Sequence, residues 1–244
     1  MCNILLDMYD TNETIRKIEA ETAKKQVPYP ADSQYDSLKA NLSLVNHKTK
    51  EYKIVQKYFD ETKSSRFTKL LDVWGVDRQG ESDRHKKFDK IGNRRLLWHG
   101  TNIAVVAPIL TSGLRIMPHG GGRVGSGIYL ASMNQKSAGY TSIYGAKYAC
   151  MFLCEGALGK CHLVTSDGSH ASSLKKAPKG FDSVHAVGRF TPKSWSEIKI
   201  DGKSVEVPNK KGHSSGVCSS FYDDEFLVYD EAQLRLRYVV TVEL

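Results

Sequence analysis

Several residue groups in this sequence are of types that do chemistry. The run Gly120-Gly121-Gly122-Arg123-Val124-Gly125 satisfies G-x-G-x-x-G. Such a run cradles a pyrophosphate when it follows a strand, opens a helix and is trailed by an acid about 20 residues on. Here Pro118 and His119 precede it, the strand-like Gly127-Ile128-Tyr129-Leu130-Ala131 follows it, and residue 145 is another glycine. The run therefore reads as a loop bordering a site rather than as a dinucleotide fingerprint. The cysteines are Cys2, Cys150, Cys154, Cys161 and Cys218. An odd, sparse set without a C-x-x-C pair suits neither a disulfide framework nor a zinc site, so no metal and a reducing compartment are expected. His99, Tyr129, Ser137, Tyr140 and Glu225 are scattered. Taken singly, each has an ordinary structural reading: a core histidine beside Trp98, core aromatics, a helix cap and a strand-end charge.

The elements that must position these groups can be read from periodicity. Ile4, Leu5, Met8, Ile15 and Ile18 repeat at helical spacing over residues 1–25, and Val27-Pro28-Tyr29-Pro30-Ala31-Asp32-Ser33 reads as a linker. Leu38, Ala40, Leu42 and Leu44 alternate as in a strand, and Ile54, Val55, Tyr58 and Phe59 return to helical spacing. Leu71 with Val73, Arg94 to Trp98, and Tyr148 to Cys154 suggest further strands, the last buried with Cys150 and Cys154 on one face. Asn102 is placed to cap a helix running to Ser112, with Ile103, Val106 and Leu110 inward and a kink or early end at Pro108. Ile198 to Val207 reads as a hairpin turning at Asp201-Gly202. Glu225 to Tyr229 is a short strand. The alternation from Leu234 to Leu244 is a long one, with Arg235 and Arg237 expected to face outward. Helices come early and strands dominate after residue 145, which is an α+β class rather than βαβ.

The chain has 244 residues, 40% hydrophobic and 25% charged, enough for one large domain with a real core. That apolar content excludes disorder along the whole length. No apolar stretch reaches the length of a membrane span, and Asp7 interrupts the apolar start, so neither membrane nor secretory signal is expected. The net charge of +8 favours anionic partners such as nucleic acid, with low specificity.

Five short motifs occur in order: Leu97-Trp98-His99-Gly100-Thr101, Gly113-Leu114-Arg115-Ile116, Gly127-Ile128-Tyr129-Leu130-Ala131, Lys136-Ser137-Ala138-Gly139-Tyr140 and Glu225-Phe226-Leu227-Val228-Tyr229-Asp230. Together they resemble the catalytic domain of the poly(ADP-ribose) polymerase family, over roughly residues 35–244. The stretch from Thr111 to His119 is most similar to the type 3 branch. The resemblance implies the ADP-ribosyltransferase fold, a split and mostly antiparallel sheet with flanking helices. It also implies NAD+ as co-substrate and transfer of ADP-ribose to protein acceptors, the chain itself among them, with single-unit transfer favoured over polymer. DNA is implied as a further partner or end-acceptor, a monomer as the assembly, and the nucleus as the location, the cytoplasm being compatible. Residues 1–33 would be a remnant of a helical regulatory subdomain and residues 34–244 the catalytic domain, either open to NAD+ at all times or part of a longer protein.

The same resemblance assigns roles. His99, Tyr129 and Glu225 match the family's His-Tyr-Glu signature. His99 would bond the adenosine ribose. Gly100 would offer its N–H and C=O, and Ser137 its hydroxyl, to the nicotinamide amide. Tyr129 and Tyr140 would sandwich the ring. Arg115 would lie by the adenosine half, and Thr101 would keep the hydroxyl that many members carry as serine. Glu225 would hold the nicotinamide ribose and activate the acceptor, with Lys136 beside it. Cleaving the glycosidic bond builds positive charge on the ribose, and a fixed carboxylate stabilises it by about 3–4 kcal/mol. Taking the acceptor's proton is typically worth about 10²–10⁴-fold. A non-catalytic module that binds NAD+ or ADP-ribose is the alternative; retention of Glu225 counts against it.

Overall fold

The computed structural model describes Lys17 and residues 29–118, 120–141, 145–166 and 169–244. Apart from Lys17, the helix expected over residues 1–25 lies outside the described residues. The chain divides after Lys39. Before the division, helix α1 (Pro30–Ser37) occupies part of the expected linker. Proline has no N–H to lose in a first turn, so Pro30 opens this helix where the sequence pattern suggested a break. Leu38 caps α1 and is not part of the following strand.

The second unit, Ala40–Leu244, is built on one large sheet. Strands β1 (Ala40–Leu44), β2 (Lys69–Arg78), β3 (Arg94–Gly100), β4 (Ile128–Ala131), β5 (Tyr148–Ala157), β6 (Cys161–Val164), β7 (Ser183–Ala186), β12 (Glu225–Val228) and β13 (Leu234–Glu243) run in the order β1-β2-β13-β5-β3-β4-β12-β7-β6. Every pairing along that path is antiparallel except β6 with β7. The hairpin of β9 (Trp195–Ile200) and β10 (Lys203–Pro208) joins the sheet through β3. It turns at Asp201 and Gly202, both with positive φ (50° and 77°), as an Asp-Gly type I′ turn requires. A separate ribbon pairs β8 (Phe190–Pro192) with β11 (Gly212–Ser214). Strands dominate, as the α+β reading expected.

Helix α2 (Lys50–Thr62) covers one face of the sheet. Thr49 caps it by accepting from the Tyr52 N–H at 3.2 Å, and Tyr52, Val55, Tyr58, Phe59 and Thr62 form its buried stripe. Tyr58 and Phe59 meet Trp98, fully buried on β3, with ring centroids 4.9 and 6.4 Å away. A short helix, α3 (Glu81–Lys86), follows β2.

The outward placement of Arg235 and Arg237 is not what the structure shows. Strand β13 lies between β2 and β5 and is covered on both faces, so strict alternation fails. A bulge between Leu236 and Tyr238 leaves Arg237 without a strand partner. Arg237 is buried against Glu155 and Asp201, and Arg235 reaches Asp201 and Asp77. Glu155 also accepts from Arg94, so two guanidinium groups neutralise one fully buried carboxylate.

Asn102 caps as expected, accepting from the Ala104 N–H at 2.9 Å. A 3₁₀ turn (Ile103–Val105) precedes helix α4 (Val106–Ser112), which puts Pro108 in a first turn. The change of pitch takes Ile103 out of phase with Val106 and Leu110, and it is 56% exposed instead of inward. Helix α5 (Asn134–Ala138) follows β4, and α6 (Ser169–Ser172) lies between β6 and β7.

Candidate active site

Strand β3 delivers His99 and Gly100 to a cleft because alternation sends Trp98 into the core beneath α2 and the next side chain the other way. The His99 ring donates through Nδ1 to the Tyr129 carbonyl at 2.9 Å. Burial lowers its pKa, only partly opposed by that bond, so the ring is neutral near pH 7 and Nε2 is left as an acceptor. At Gly100 the Ser137 carbonyl packs against the α-carbon. A β-carbon there would sit 1.9 Å from the Ser137 oxygen, so only glycine fits.

Ser137 belongs to α5, which is pinned from behind. Asn134 is fully buried; its Oδ1 accepts from the Ser64 N–H at 2.8 Å and its Nδ2 donates to the Phe59 carbonyl at 3.2 Å. The Tyr58 hydroxyl donates to the Ser132 carbonyl at 3.1 Å. These bonds tie the short helix to α2, which compensates for its lack of length. Ser137 does not cap the helix: it is internal, and its carbonyl accepts from the Tyr140 N–H at 3.0 Å. The Tyr140 ring remains 60% exposed at the cleft mouth.

Tyr129, on β4, faces the glycine loop. Its hydroxyl donates to the Gly125 carbonyl at 2.8 Å and accepts from the Val124 N–H at 3.2 Å. Burial and the Glu225 charge push its pKa up to about 12, against the pull of the Val124 N–H, so the phenol stays neutral. The loop closes on itself through mutual Gly122–Gly125 backbone bonds of 3.1 Å. A side chain at Gly122 would collide with the Tyr129 hydroxyl at 2.3 Å, so the glycines here serve close packing on a tyrosine.

Glu225 opens β12, opposite Ala131 on β4 and Ala186 on β7, and is 4% exposed. Lys136 of α5 places Nζ 2.7 Å from its Oε1. Burial alone would lower the lysine pKa, but the hydrogen bond and charge of Glu225 outweigh it and the net direction is upward. The ammonium therefore holds the carboxylate's orientation at neutral pH.

These groups line one cleft of about 250 Å³: His99, Gly100, Gly121, Gly122, Arg123, Tyr129, Leu130, Ala131, Lys136, Ser137, Tyr140 and Glu225. Two residues from the sequence reading are not on its wall. Thr101 lies just beyond β3, and Arg115 is exposed and paired with Glu231 at 3.0 Å. Arg123 lines the cleft and was not singled out by its sequence context. It stacks 4.1 Å over Phe221 and donates to the Ser220 hydroxyl at 2.8 Å. Its position at the tip of the glycine loop was the available signal.

The sheet order and this cleft define the ADP-ribosyltransferase class of fold. The family model for the poly(ADP-ribose) polymerase catalytic domain matches residues 49–244. The chain is 49% identical over 234 residues to the mouse protein mono-ADP-ribosyltransferase PARP3, and 47% over 236 residues to its human counterpart. Each alignment covers 93% of this chain and 43% of the relative. Identity to poly [ADP-ribose] polymerase 1 of Xenopus laevis is 35%, over 88% of this chain and 22% of that protein. The chain belongs to the poly(ADP-ribose) polymerase family, and it spans less than half the length of these curated relatives.

Proposed function

We propose that this chain consumes NAD+, releases nicotinamide and transfers ADP-ribose, mostly as single units, to protein side chains. The observation that carries the reading is the convergence on one cleft of a neutral imidazole, two phenols, a glycine without room for a side chain and a lysine-braced carboxylate. The donor set suits NAD+. Bound there, NAD+ supplies a glycosidic bond whose leaving group is a neutral nicotinamide.

Each residue then has a task. The Gly100 backbone and the Ser137 hydroxyl receive a planar amide, with Tyr129 and Tyr140 on the ring faces. The His99 Nε2 accepts from a ribose hydroxyl. Glu225 stabilises the positive charge that develops as the bond breaks, an electrostatic contribution of about 3–4 kcal/mol in a preorganised site. It also takes the acceptor's proton. Protein acceptors, the chain's own surface among them, a nuclear location, response to DNA ends and a monomeric state belong to the same reading. So does the assignment of residues 1–33 to a helical regulatory subdomain.

Labelled NAD+ with gel analysis of products tests the activity. Discrete single-unit bands are expected, and long smears would contradict mono-transfer. Glu225→Gln should cut transfer by about 10²–10³-fold while leaving binding of a nicotinamide analogue near normal. Unchanged transfer would remove Glu225 from the mechanism.

A further inference from the structure

A run of three buried acids, Asp223, Asp224 and Glu225, leads into strand β12, and the transfer step uses the last. The first and third turn toward α5: Gln135 Nε2 donates to Asp223 Oδ1 at 2.6 Å, and Lys136 meets Glu225. Asp224, between them, points the other way and is 2% exposed. Burial alone would raise the Asp224 pKa, yet its surroundings lower it. Oδ1 accepts from the Gly188 N–H at 2.8 Å and stands 3.1 Å from His185 Nε2. Oδ2 accepts from the Thr191 hydroxyl and, more weakly, from the Ser132 hydroxyl at 3.5 Å. One carboxylate thus gathers the end of β4, the β7 region and β8 around the strand's first residues.

His185 does more than face Asp224. Its ring stacks on Phe226 with centroids 4.2 Å apart and planes 16° apart. The two neighbours of Glu225 in the chain are therefore both held from the side opposite the cleft, one by hydrogen bonds, the other by stacking. A carboxylate that must sit against a developing charge gains nothing from being near if its backbone can rock. A displacement of about 1 Å can cost roughly 10²-fold.

We propose that Asp224 is a positioning residue for transfer, which together with His185 and Thr191 fixes the backbone from which Glu225 reaches the cleft. The proposal rests on the transferase reading. Asp224 touches no substrate. The NAD+-gripping groups lie on β3, β4 and α5, so loosening β12 should affect turnover and leave NAD+ capture alone.

The test compares Asp224→Ala, Asp224→Asn and Thr191→Val, each alone and with Glu225→Gln. The rate of nicotinamide release is normalised to sites counted by titration with a nicotinamide analogue. Asp224→Ala should lower turnover per site by about 10- to 100-fold, with KM for NAD+ within about 2-fold. Asp224→Asn should recover to within about 3-fold, since the amide oxygen keeps the Gly188 bond and the Thr191 hydroxyl can turn to accept. Thr191→Val should show the same pattern at smaller size, and it carries the test if Asp224→Ala does not fold. With Gln at position 225, Asp224→Ala should change the residual rate less than about 2-fold, because the two residues act as a unit. Equal losses in both backgrounds, or KM rising in step with the loss of turnover, overturns the proposal. A second readout does not need activity. Carbon-13 lysine NMR should show the Lys136 pKa falling toward its ordinary value in Asp224→Ala, as it should also in Glu225→Gln. An unmoved Lys136 also overturns the proposal. An inactive wild-type chain would count against the transferase reading alone.

Discussion

Replacing Gly100 by alanine adds one methyl group at the point where β3 and α5 touch. The new β-carbon would lie 1.9 Å from the Ser137 oxygen, 2.6 Å from its carbonyl carbon and 3.1 Å from its α-carbon. All three are backbone atoms, so no side-chain rotation relieves the clash. Ordinary contact begins at 3.4 Å, so the helix must retreat by about 1.5 Å, the difference between 3.4 and 1.9 Å. The Asn134 and Tyr58 bonds oppose that retreat. Overpacking of this kind costs about 1–3 kcal/mol of stability. The functional effect should be larger, because Ser137 and Lys136 move with the helix and the amide-receiving groups are pushed apart. We expect binding of a nicotinamide analogue to weaken by about 10²-fold, and NAD+ turnover to fall at least as far, with a melting temperature about 2–12 degrees lower. Calorimetric titration of the analogue beside thermal unfolding separates the two effects. Wild-type affinity in a folded Gly100→Ala protein would refute the claim that this contact shapes the amide site.

Tyr129→Phe removes the hydroxyl that joins Gly125 to Val124 and should destabilise the glycine loop by about 1 kcal/mol, seen as faster amide exchange at Val124. His99 should stay neutral until the pH falls below the ordinary histidine range, since burial depresses its pKa. Further acidification turns Nε2 from acceptor to donor. KM for NAD+ should then rise, and a pH-flat KM across that range would contradict the assigned bond. The unfolded chain binds this proton first, so His99 also costs stability progressively as pH drops below about 6.5. Glu155 has the opposite linkage. Burial would raise its pKa, but His85, Arg237 and Arg94 bring it down from 4.5 to about 2. Its contribution, about 3 kcal/mol at 1.36 kcal/mol per pKa unit, is present above the unfolded value and lost as pH falls from 4.5 toward 2. Glu155→Gln should cost about 3 kcal/mol, the same linkage contribution, with Arg94 and Arg237 keeping Asp89 and Asp201, and should flatten denaturant stability across that acidic range.

Much of this protein is legible without coordinates. Helix α2, the Asp201-Gly202 hairpin, the Asn102 cap and the short strands at Tyr129 and Glu225 follow from local rules of periodicity, turn chemistry and capping. Those rules act within a few residues of chain. The motif residues were identifiable for a similar reason, since they occur as short words in a set order. What the words do not contain is which of them meet. Thr101 shares a word with His99 and Gly100, and Arg115 belongs to another word of the same set, yet neither lines the cleft. Arg123 does line it, through contacts with Ser220 and Phe221 about a hundred positions away in the chain. The outward expectation for Arg237 fails because burial on both faces of a strand depends on its neighbours in the sheet, and β13 is flanked by strands far from it in the chain, β2 and β5. The clamp behind Glu225 is likewise a product of sheet order: Asp224 finds Gly188, Thr191 and His185 because β12 pairs with β7. Residue types and local spacing determined the elements and the available chemistry. Long-range strand pairing, whose free energy comes from burying distant segments together, decided which groups share a cleft, and at what distance.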